Sequence, residues 1–501
     1  MEQKDAQIIQ RVLQGDQESF SLLVRKYQKG VHALVWRKIG DFHIAQEITQ
    51  DAFLTAYKNR RYSQNLTDYQ ESVKRERTEA EENPPNTPDP NTEVSKFFLK
   101  PTPLSVFASG LEEALPTYLG MTRNGVRQGS AGVSQASVAY ALGNLDFLFI
   151  VGIVFSLLAL LFTCDAIAGE KEAGTLRVNL SNPLPRDVFL WSKLIGGYIV
   201  FVVPFLVSFL LGLLILVGQG FPLGELNVAL PVLGLTLVSL LYIAVFFAIG
   251  VAISTYLDNS KTALIIAFTF WVFAVLIAPR GAFVVAKLVA PTRTQQAVYM
   301  EKSALHNNLT KDKDEKIWQK TALAFGSGSS FGIDLSDPET QKRLDKLRGP
   351  IEEEFRQAFQ NRSDKIDRDY QREKDRQEQV GEMLSRIAPT ASLTYFAMNL
   401  TQTGKLKRDT YFQTGERYYD QLDDAYFSQV SDDALAQIMQ LTSRMDEASE
   451  SETEKLPPPP PLTEPSLSDT VRRSAVDVLL LCFFALAFTA VAFLKFFRSD
   501  I

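Results

Sequence analysis

The chain has 501 residues, of which 46% are hydrophobic and 22% are charged, and 52 basic against 58 acidic residues give a net charge of -6. This balance provides no global basic field for nucleic acid. Two cysteines and three histidines exclude a disulfide framework and a cysteine-rich or histidine-rich metal centre. The hydrophobic residues are concentrated in a few uncharged runs, which indicates a membrane protein with large aqueous parts.

Residues 1–60 predict a small N-terminal helical bundle, because apolar residues such as Ile8, Ile9, Val12 and Leu13 recur at helical spacing. Residues 61–144 are rich in charge and then in proline, which is typical of a linker and a pre-membrane segment. We therefore expect a domain boundary near residues 60–65.

Four apolar runs lie within residues 145–291, and each is close to the roughly 20 residues that cross about 30 Å of hydrocarbon. The long run at residues 228–257 is counted as one span. Residues 292–470 are polar, with an apolar stripe on a charged helix and a proline-rich end, and they predict an aqueous helical domain. Residues 471–501 contain the last span and a short tail. The predicted fold class is all-α, a polytopic membrane protein with five visible spans.

Basic residues predict the orientation in the cytoplasmic (inner) membrane. Residues 165–192 carry Lys171, Arg177 and Arg186, with Lys193 adjoining, whereas residues 218–227 carry none. The first connection is therefore expected in the cytoplasm, which places residues 292–470 outside the membrane and the C-terminal tail inside. Asp146, Asp165 and Asp477 stand at span ends, where we expect the interface to solvate them.

The first connection carries an ordered motif rather than scattered charge. It consists of Gly169, Glu170, Lys171, Glu172, Gly174, Thr175 and Leu176, followed by Pro183, Arg186 and Lys193. This pattern resembles the cytoplasmic loop of ABC-2 permeases, and the resemblance extends over about residues 100–501. It implies a membrane permease subunit of an ATP-driven exporter, whose loop at residues 165–193 receives motion from a separate ATPase.

The ATPase is expected to be a separate P-loop subunit, because this chain has no Gly-x-x-x-x-Gly-Lys-Ser/Thr loop to hold phosphates. The glycine-rich stretch at Gly326 lacks the lysine. We therefore expect no enzyme activity and no cofactor in this chain, with ATP used by the partner. The further expected partners are membrane lipid and a second permease subunit, in a homodimer or a heterodimer.

The N-terminal residues carry a second resemblance. Gly15, Asp16, Phe20, Tyr27 and the stretch Ala45 to Leu54 resemble region 2 of extracytoplasmic-function sigma factors of the sigma-70 family. The resemblance implies a docking surface for the RNA polymerase core, and a plain three-helix bundle is the alternative. The docking surface that the resemblance implies consists of Gln46, Glu47, Gln50, Asp51 and Phe53.

The pattern departs from the sigma family after Lys58, where the aromatic and basic stretch that opens a promoter is missing. Transcription initiation is therefore not expected, and we expect residues 1–60 to be dispensable for transport. Five spans also place this module outside the cytoplasm. Either it replaces a first span, or residues 97–119 enter the membrane, against which Pro101, Pro103, Glu112 and Glu113 argue. A membrane-tethered transcription regulator and a non-transporting envelope scaffold are the alternative functions.

Overall fold

The computed structural model describes residues 26, 29, 32, 33, 42–82, 92–122, 125–129, 146–181, 185–325, 338–423, 457–462 and 466–498. It gives only the backbone for residues 42–57, 80–82, 338, 339, 341, 345 and 467. The chain divides into two compact units. The first unit comprises Met1–Val275 and Pro389–Ile501, and the second unit is Leu276–Ala388.

The first helix, α1, is Phe42–Glu82, and it runs without interruption through the boundary predicted near residues 60–65. That boundary is wrong, because the stretch contains neither glycine nor proline and its charged residues continue the helix. The helix packs against the second apolar span and against the segment before the membrane. Part of the predicted linker is therefore a structural element of the first unit.

A small antiparallel sheet follows, with strands β1 (Ser95–Phe98), β2 (Tyr118–Thr122) and β3 (Gly125–Gln128) in the order β1-β2-β3. The sequence did not predict this sheet inside the otherwise helical fold. Short 3-10 turns, Pro103–Val106 and Glu112–Ala114, join β1 to β2. Residues 97–119 therefore form strands and turns, and they contain no helix long enough to span a membrane.

In the described part of the chain, five helical segments are long and apolar enough to cross a membrane, as predicted. The first covers Phe147–Glu172, and its main part, α2, comprises Phe147–Phe149, a π-helical turn Ile150–Phe155 and Ser156–Thr163. Two short helices follow it, α3 (Ala168–Glu172) and α4 (Thr175–Ser181). The remaining spans are α5 (Arg186–Gly218), α6 (Leu226–Tyr256), α7 (Ser260–Trp271) continued through Val272–Ile277 into α8 (Ala278–Val289), and α13 (Leu467–Arg498).

Span α6 is the central helix of the first unit, since it packs against α2, α13 and helix α11 (Pro389–Leu400). The buried Tyr242 hydroxyl donates to the Gly152 carbonyl at 2.8 Å, in the π-helical turn of α2. A π-helical turn displaces backbone carbonyls from their usual partners, and the tyrosine satisfies one of them. At Gly250 the two helices meet so closely that a Cβ atom would lie 1.8 Å from the Thr163 hydroxyl.

Helix α12 (Lys405–Leu422) supplies the other half of the core under the sheet. The Phe97 ring stacks on Tyr411 with centroids 5.5 Å apart, and the Ser95 and Tyr418 hydroxyls are 2.9 Å apart. Strands of four or five residues bury too little surface alone, so this sheet depends on a helix more than 270 residues further along the chain. Its distant packing partner explains why local pattern did not reveal it.

The second unit contains α8 and two long helices, α9 (Gln295–Phe325) and α10 (Pro338–Ser385). The predicted apolar stripe lies on α10. Its Leu344 and Ile351 are buried, and the Phe355 and Phe359 rings stack with centroids 6.4 Å apart. This unit ends at Ala388, whereas α11 and α12 belong to the first unit. The predicted domain at residues 292–470 is thus divided between the two units, because α11 and α12 find their apolar partners among the spans and under the sheet.

Candidate ATPase-coupling site

The motif between the first two spans folds as two short helices with a glycine between them. Gly174 has a φ of +71°, which ends α3 and redirects the chain into α4. Glycine adopts this left-handed backbone conformation without strain, whereas a residue with a Cβ atom is strained at this φ. Pro183 lies outside the described residues. The other nine predicted coupling residues lie in or next to α3, α4 and the start of α5.

The beginning of α3 is fixed to the end of span α6. The Ser254 hydroxyl accepts hydrogen bonds from the backbone N–H groups of Ile167 and Ala168, both at 2.9 Å. These two groups are among the unpaired donors at a helix start, and a buried donor without a partner is costly. Leu176 is 1% exposed and belongs to one apolar cluster with residues of α5, α6 and α13.

Lys171 and Glu172 contact the turn between spans α6 and α7. The Lys171 ammonium donates to the carbonyls of Thr255 at 2.7 Å and Leu257 at 3.3 Å, and to the Asp258 carboxylate at 3.1 Å. The Glu172 carboxylate accepts from the backbone N–H of Ser260 at 2.8 Å. Both residues therefore bind within this chain, and the sequence did not predict their partners.

Glu170 pairs with Lys193 at the start of α5, and it also accepts from the Asn179 amide at 3.3 Å. Arg186 donates to the Phe497 carbonyl of α13 at 3.3 Å. Glu170, Lys193 and Arg186 are all partly buried. These charges tie α3, α5 and α13 together.

The exposed side of this segment is formed by Glu172, Gly174, Thr175, Arg177 and Val178. Val178 is 66% exposed although it is apolar, and it stands beside the exposed Arg177 on α4. The motif therefore divides into residues that hold the segment in place and residues that face outward. Sequence reasoning missed Ser254, Asp258 and Ser260. The polar turn between two apolar runs was the signal for Asp258 and Ser260, whereas Ser254 lies inside the apolar run of α6.

The predicted polymerase-docking residues, Gln46, Glu47, Gln50, Asp51 and Phe53, lie on the backbone of α1, and their side chains are outside the described residues. From Lys58 onward α1 contacts the rest of the first unit. The Asn59 amide donates to the Gln219 side chain at 3.2 Å, and Arg61 forms a 3.2 Å ion pair with Glu113. Asn59 therefore ties the end of the N-terminal module to the first unit. The dispensability of residues 1–60 for transport stays a prediction.

Lys58 lies in a buried polar cluster at the start of span α2. Its ammonium donates to the Ser109 hydroxyl at 3.0 Å, and the Ser109 N–H donates to the Asp146 carboxylate at 3.1 Å. The same carboxylate caps α2 by accepting from the Phe149 N–H at 2.7 Å. Burial lowers the pKa of Lys58 and raises the pKa of Asp146.

The predicted solvation of the aspartates at the span ends is therefore only partly right. Asp146 is 6% exposed and Asp477 is buried, whereas Asp165 is exposed. Asp146 is buried because the pre-membrane segment and α1 cover the end of α2, and no sequence pattern signalled this cover.

The fold and the motif together define a polytopic helical membrane permease. Residues 37–501 match the family described as ABC-2 family transporter protein, and the chain therefore belongs to this family. The chain is also 35% identical over 125 residues, 24% of its length, to the probable ABC transporter permease protein NosY of Pseudomonas aeruginosa.

The N-terminal residues are similar to sigma factors, as predicted. The chain is 40% identical over 57 residues, 11% of its length, to the RNA polymerase sigma-H factor of P. aeruginosa. It is 39% identical over 51 residues, 10% of its length, to the ECF RNA polymerase sigma factor SigW of Bacillus subtilis. The chain covers 44% of the NosY permease and 30% and 27% of the two sigma factors, so it spans less than half of each relative.

Proposed function

We propose that the chain is the membrane subunit of an ATP-driven exporter and that a separate P-loop ATPase docks on its residues 165–193. The observation that carries this proposal is the exposed surface of Arg177 and Val178 on α4. Five other charged residues of the same segment bind groups of this chain: Glu170, Lys171, Glu172, Arg186 and Lys193. An exposed apolar side chain beside a charge is the composition of a protein contact. The ATPase supplies the ATP chemistry, and this chain moves with it.

The outward residues determine which substitutions test docking. Reversing Glu170 or Arg186 disturbs contacts inside the chain, since these side chains bind Lys193 and the Phe497 carbonyl. Arg177 and Val178 are exposed, so their substitution leaves those contacts in place. Exposed substitutions usually change the free energy of unfolding by no more than about 0.5 kcal/mol. A loss of ATPase binding in such a variant then indicates a loss of the docking surface rather than a loss of folding.

The docking test is co-purification of the full chain with a P-loop ATPase encoded beside its gene. Arg177→Glu with Val178→Asp should abolish retention of the ATPase while membrane insertion stays unchanged. The matched control is Arg372→Glu with Val471→Asp, which changes an exposed arginine and an exposed valine elsewhere on the chain. Equal retention by both double variants would contradict docking on α4.

We also propose two partners for the apolar surfaces of the spans, membrane lipid and a second permease subunit. Spans α5 and α7 expose many large apolar side chains, among them Ile199, Leu210, Leu214, Ile265 and Phe268. Such surfaces are stable only against lipid tails or another helix. We assign them to membrane lipid and to a second permease subunit, identical or different. A single-copy molecule in native-lipid particles would contradict the second permease.

The proposed orientation puts residues 292–470 outside the cytoplasm and α4 inside it. The measurement uses chains in which Cys164 and Cys482 are replaced by alanine and one cysteine is introduced. Asn307→Cys, on the exposed side of α9, should react with an impermeant maleimide in intact cells. Val178→Cys should react only after lysis. The reverse pattern would overturn the orientation.

A further inference from the structure

The turn between α6 and α7 brings two helix ends together, and each end carries a partial charge. The last carbonyls of a helix lack partners within it and carry partial negative charge, whereas the first N–H groups of the next helix carry partial positive charge. Here α6 ends at Tyr256 and α7 begins at Ser260. A residue that caps either end stabilises the turn.

The carbonyl end is capped by Lys171 from the motif. Its ammonium reaches the carbonyls of Thr255 and Leu257 at 2.7 and 3.3 Å. The third contact is the Asp258 carboxylate at 3.1 Å, but the Asp258 side chain is 89% exposed. Water screens such a pair strongly, so the carbonyls, rather than the ion pair, provide most of the attachment.

The N–H end is capped by the next residue, Glu172. Asn259 caps α7 by accepting from the N–H groups of Lys261 at 2.9 Å and Thr262 at 3.3 Å. The Ser260 N–H is left to the Glu172 carboxylate at 2.8 Å. A negative charge at a helix start is the favourable sign. Two consecutive residues of opposite charge therefore cap two successive spans, and we call Lys171 and Glu172 the cap pair.

We propose that the α6–α7 turn is the second part of the coupling site, and that the cap pair passes displacement of α3 and α4 to spans α6 and α7. This proposal rests on the proposed docking of an ATPase at residues 165–193. The Ser254 hydroxyl, which holds the start of α3, attaches the same segment to α6 one turn earlier. Since α6 is the central span of the first unit, displacement reaches its buried contacts with α2, α11 and α13.

The attachment can be measured without any ATPase by hydrogen exchange of the full chain in phosphatidylcholine nanodiscs. Lys171→Met should raise exchange in residues 165–176 and also in residues 254–264. The expected rise is a factor of about 3 to 10, the size of one helix-end charge with its hydrogen bonds. Lys171→Arg should restore the wild-type rates, and Asp258→Asn should have a smaller effect than Lys171→Met. The matched control is Lys74→Met, an exposed lysine on α1, which should change neither segment.

The transmission step is then measured with the ATPase bound. In the wild type, binding should slow exchange in residues 165–181 and change it in residues 254–264. In Lys171→Met the ATPase should remain bound and protect residues 165–181, while residues 254–264 stop responding. A response of both segments in Lys171→Met would overturn the proposal, as would unchanged exchange of residues 254–264 in the variant alone. Absence of ATPase binding to the wild type would instead reject the proposed function and leave the nanodisc measurement as the test of the attachment.

Discussion

The segment at residues 165–193 and helix α1 both carry a recognisable sequence signature, but they place a lysine in opposite environments. Lys171 lies at the end of a helix, where two backbone carbonyls and the exposed Asp258 carboxylate accept hydrogen bonds from its ammonium. Lys58 lies in a buried cluster, where burial lowers its pKa and its hydrogen-bond partner is Ser109. The comparison teaches that a charge at a helix end costs little free energy, because the helix end itself stabilises it. The free energy of a buried charge depends instead on every one of its partners.

The largest expected effect comes from Lys58→Met, which leaves Asp146 buried without its nearest positive charge. Removing one partner of a buried charge pair costs about 3 kcal/mol or more. Thermal unfolding in nanodiscs measures this, with the exposed Lys74→Met on the same helix as the control. The double variant Lys58→Met with Asp146→Asn should lose less than Lys58→Met alone. A single variant as stable as the control would show that α1 does not anchor here.

The same variant has a predicted pH dependence. Burial raises the pKa of Asp146 above its ordinary value of 3.8, so the folded state keeps the carboxyl proton at a higher pH than the unfolded state does. The free energy of unfolding therefore falls as the pH rises through the window between the two pKa values. The deficit of Lys58→Met should shrink in acid and be complete at neutral pH. A deficit independent of pH would remove Asp146 from the explanation.

A smaller effect is expected at Glu170, whose pair with Lys193 is only partly buried. Glu170→Gln should lower the free energy of unfolding by about 1 kcal/mol, because solvent already screens much of the pair. The same melting experiment measures it, and Glu79→Gln, at an exposed position of α1, is the comparison. A loss as large as that of Lys58→Met would contradict the contrast between the two regions.

Gly174→Ala should cost about 1 kcal/mol, because its φ of +71° is strained for a residue with a Cβ, although open space surrounds the position. Gly174→Asn should cost less, since asparagine tolerates this conformation better. Gly196→Ala, in the regular helix α5 with nothing near the added atom, should cost nothing. Equal stability of all three variants would show that the turn between α3 and α4 is not fixed.

The smallest expected effect is that of this chain on transcription, which we expect it not to initiate. Asn59 and Arg61, which follow Lys58 where the sigma pattern ends, contact Gln219 and Glu113 of this chain. The full chain in nanodiscs, added to core polymerase on a melted-promoter template, should give no specific transcript above core alone. Weak binding of polymerase to residues 44–57 is a separate measurement. Specific transcripts would favour the tethered regulator over the permease.

The sequence by itself determined the five spans and the glycine-containing motif between the first two of them. Both follow from local rules, since an apolar run must cross the membrane as a helix and a Gly-Glu-Lys-Glu-Ala-Gly-Thr-Leu stretch breaks at its second glycine. The stripe on α10 was equally visible from helical spacing. These features require no knowledge of what lies far away in the chain.

Only the tertiary structure decided the sheet, the extent of α1 and the partners of the motif's charges. The sheet is buried by Tyr411 and Tyr418 of α12, and α1 continues past residue 65 with its contacts on α5 and the pre-membrane segment. Lys171 and Glu172 bind backbone groups more than 80 residues away, and a backbone carbonyl or N–H has no sequence signature. Each of these features depends on a contact between distant segments, because short strands and single charges become stable only when a partner removes them from water or caps them.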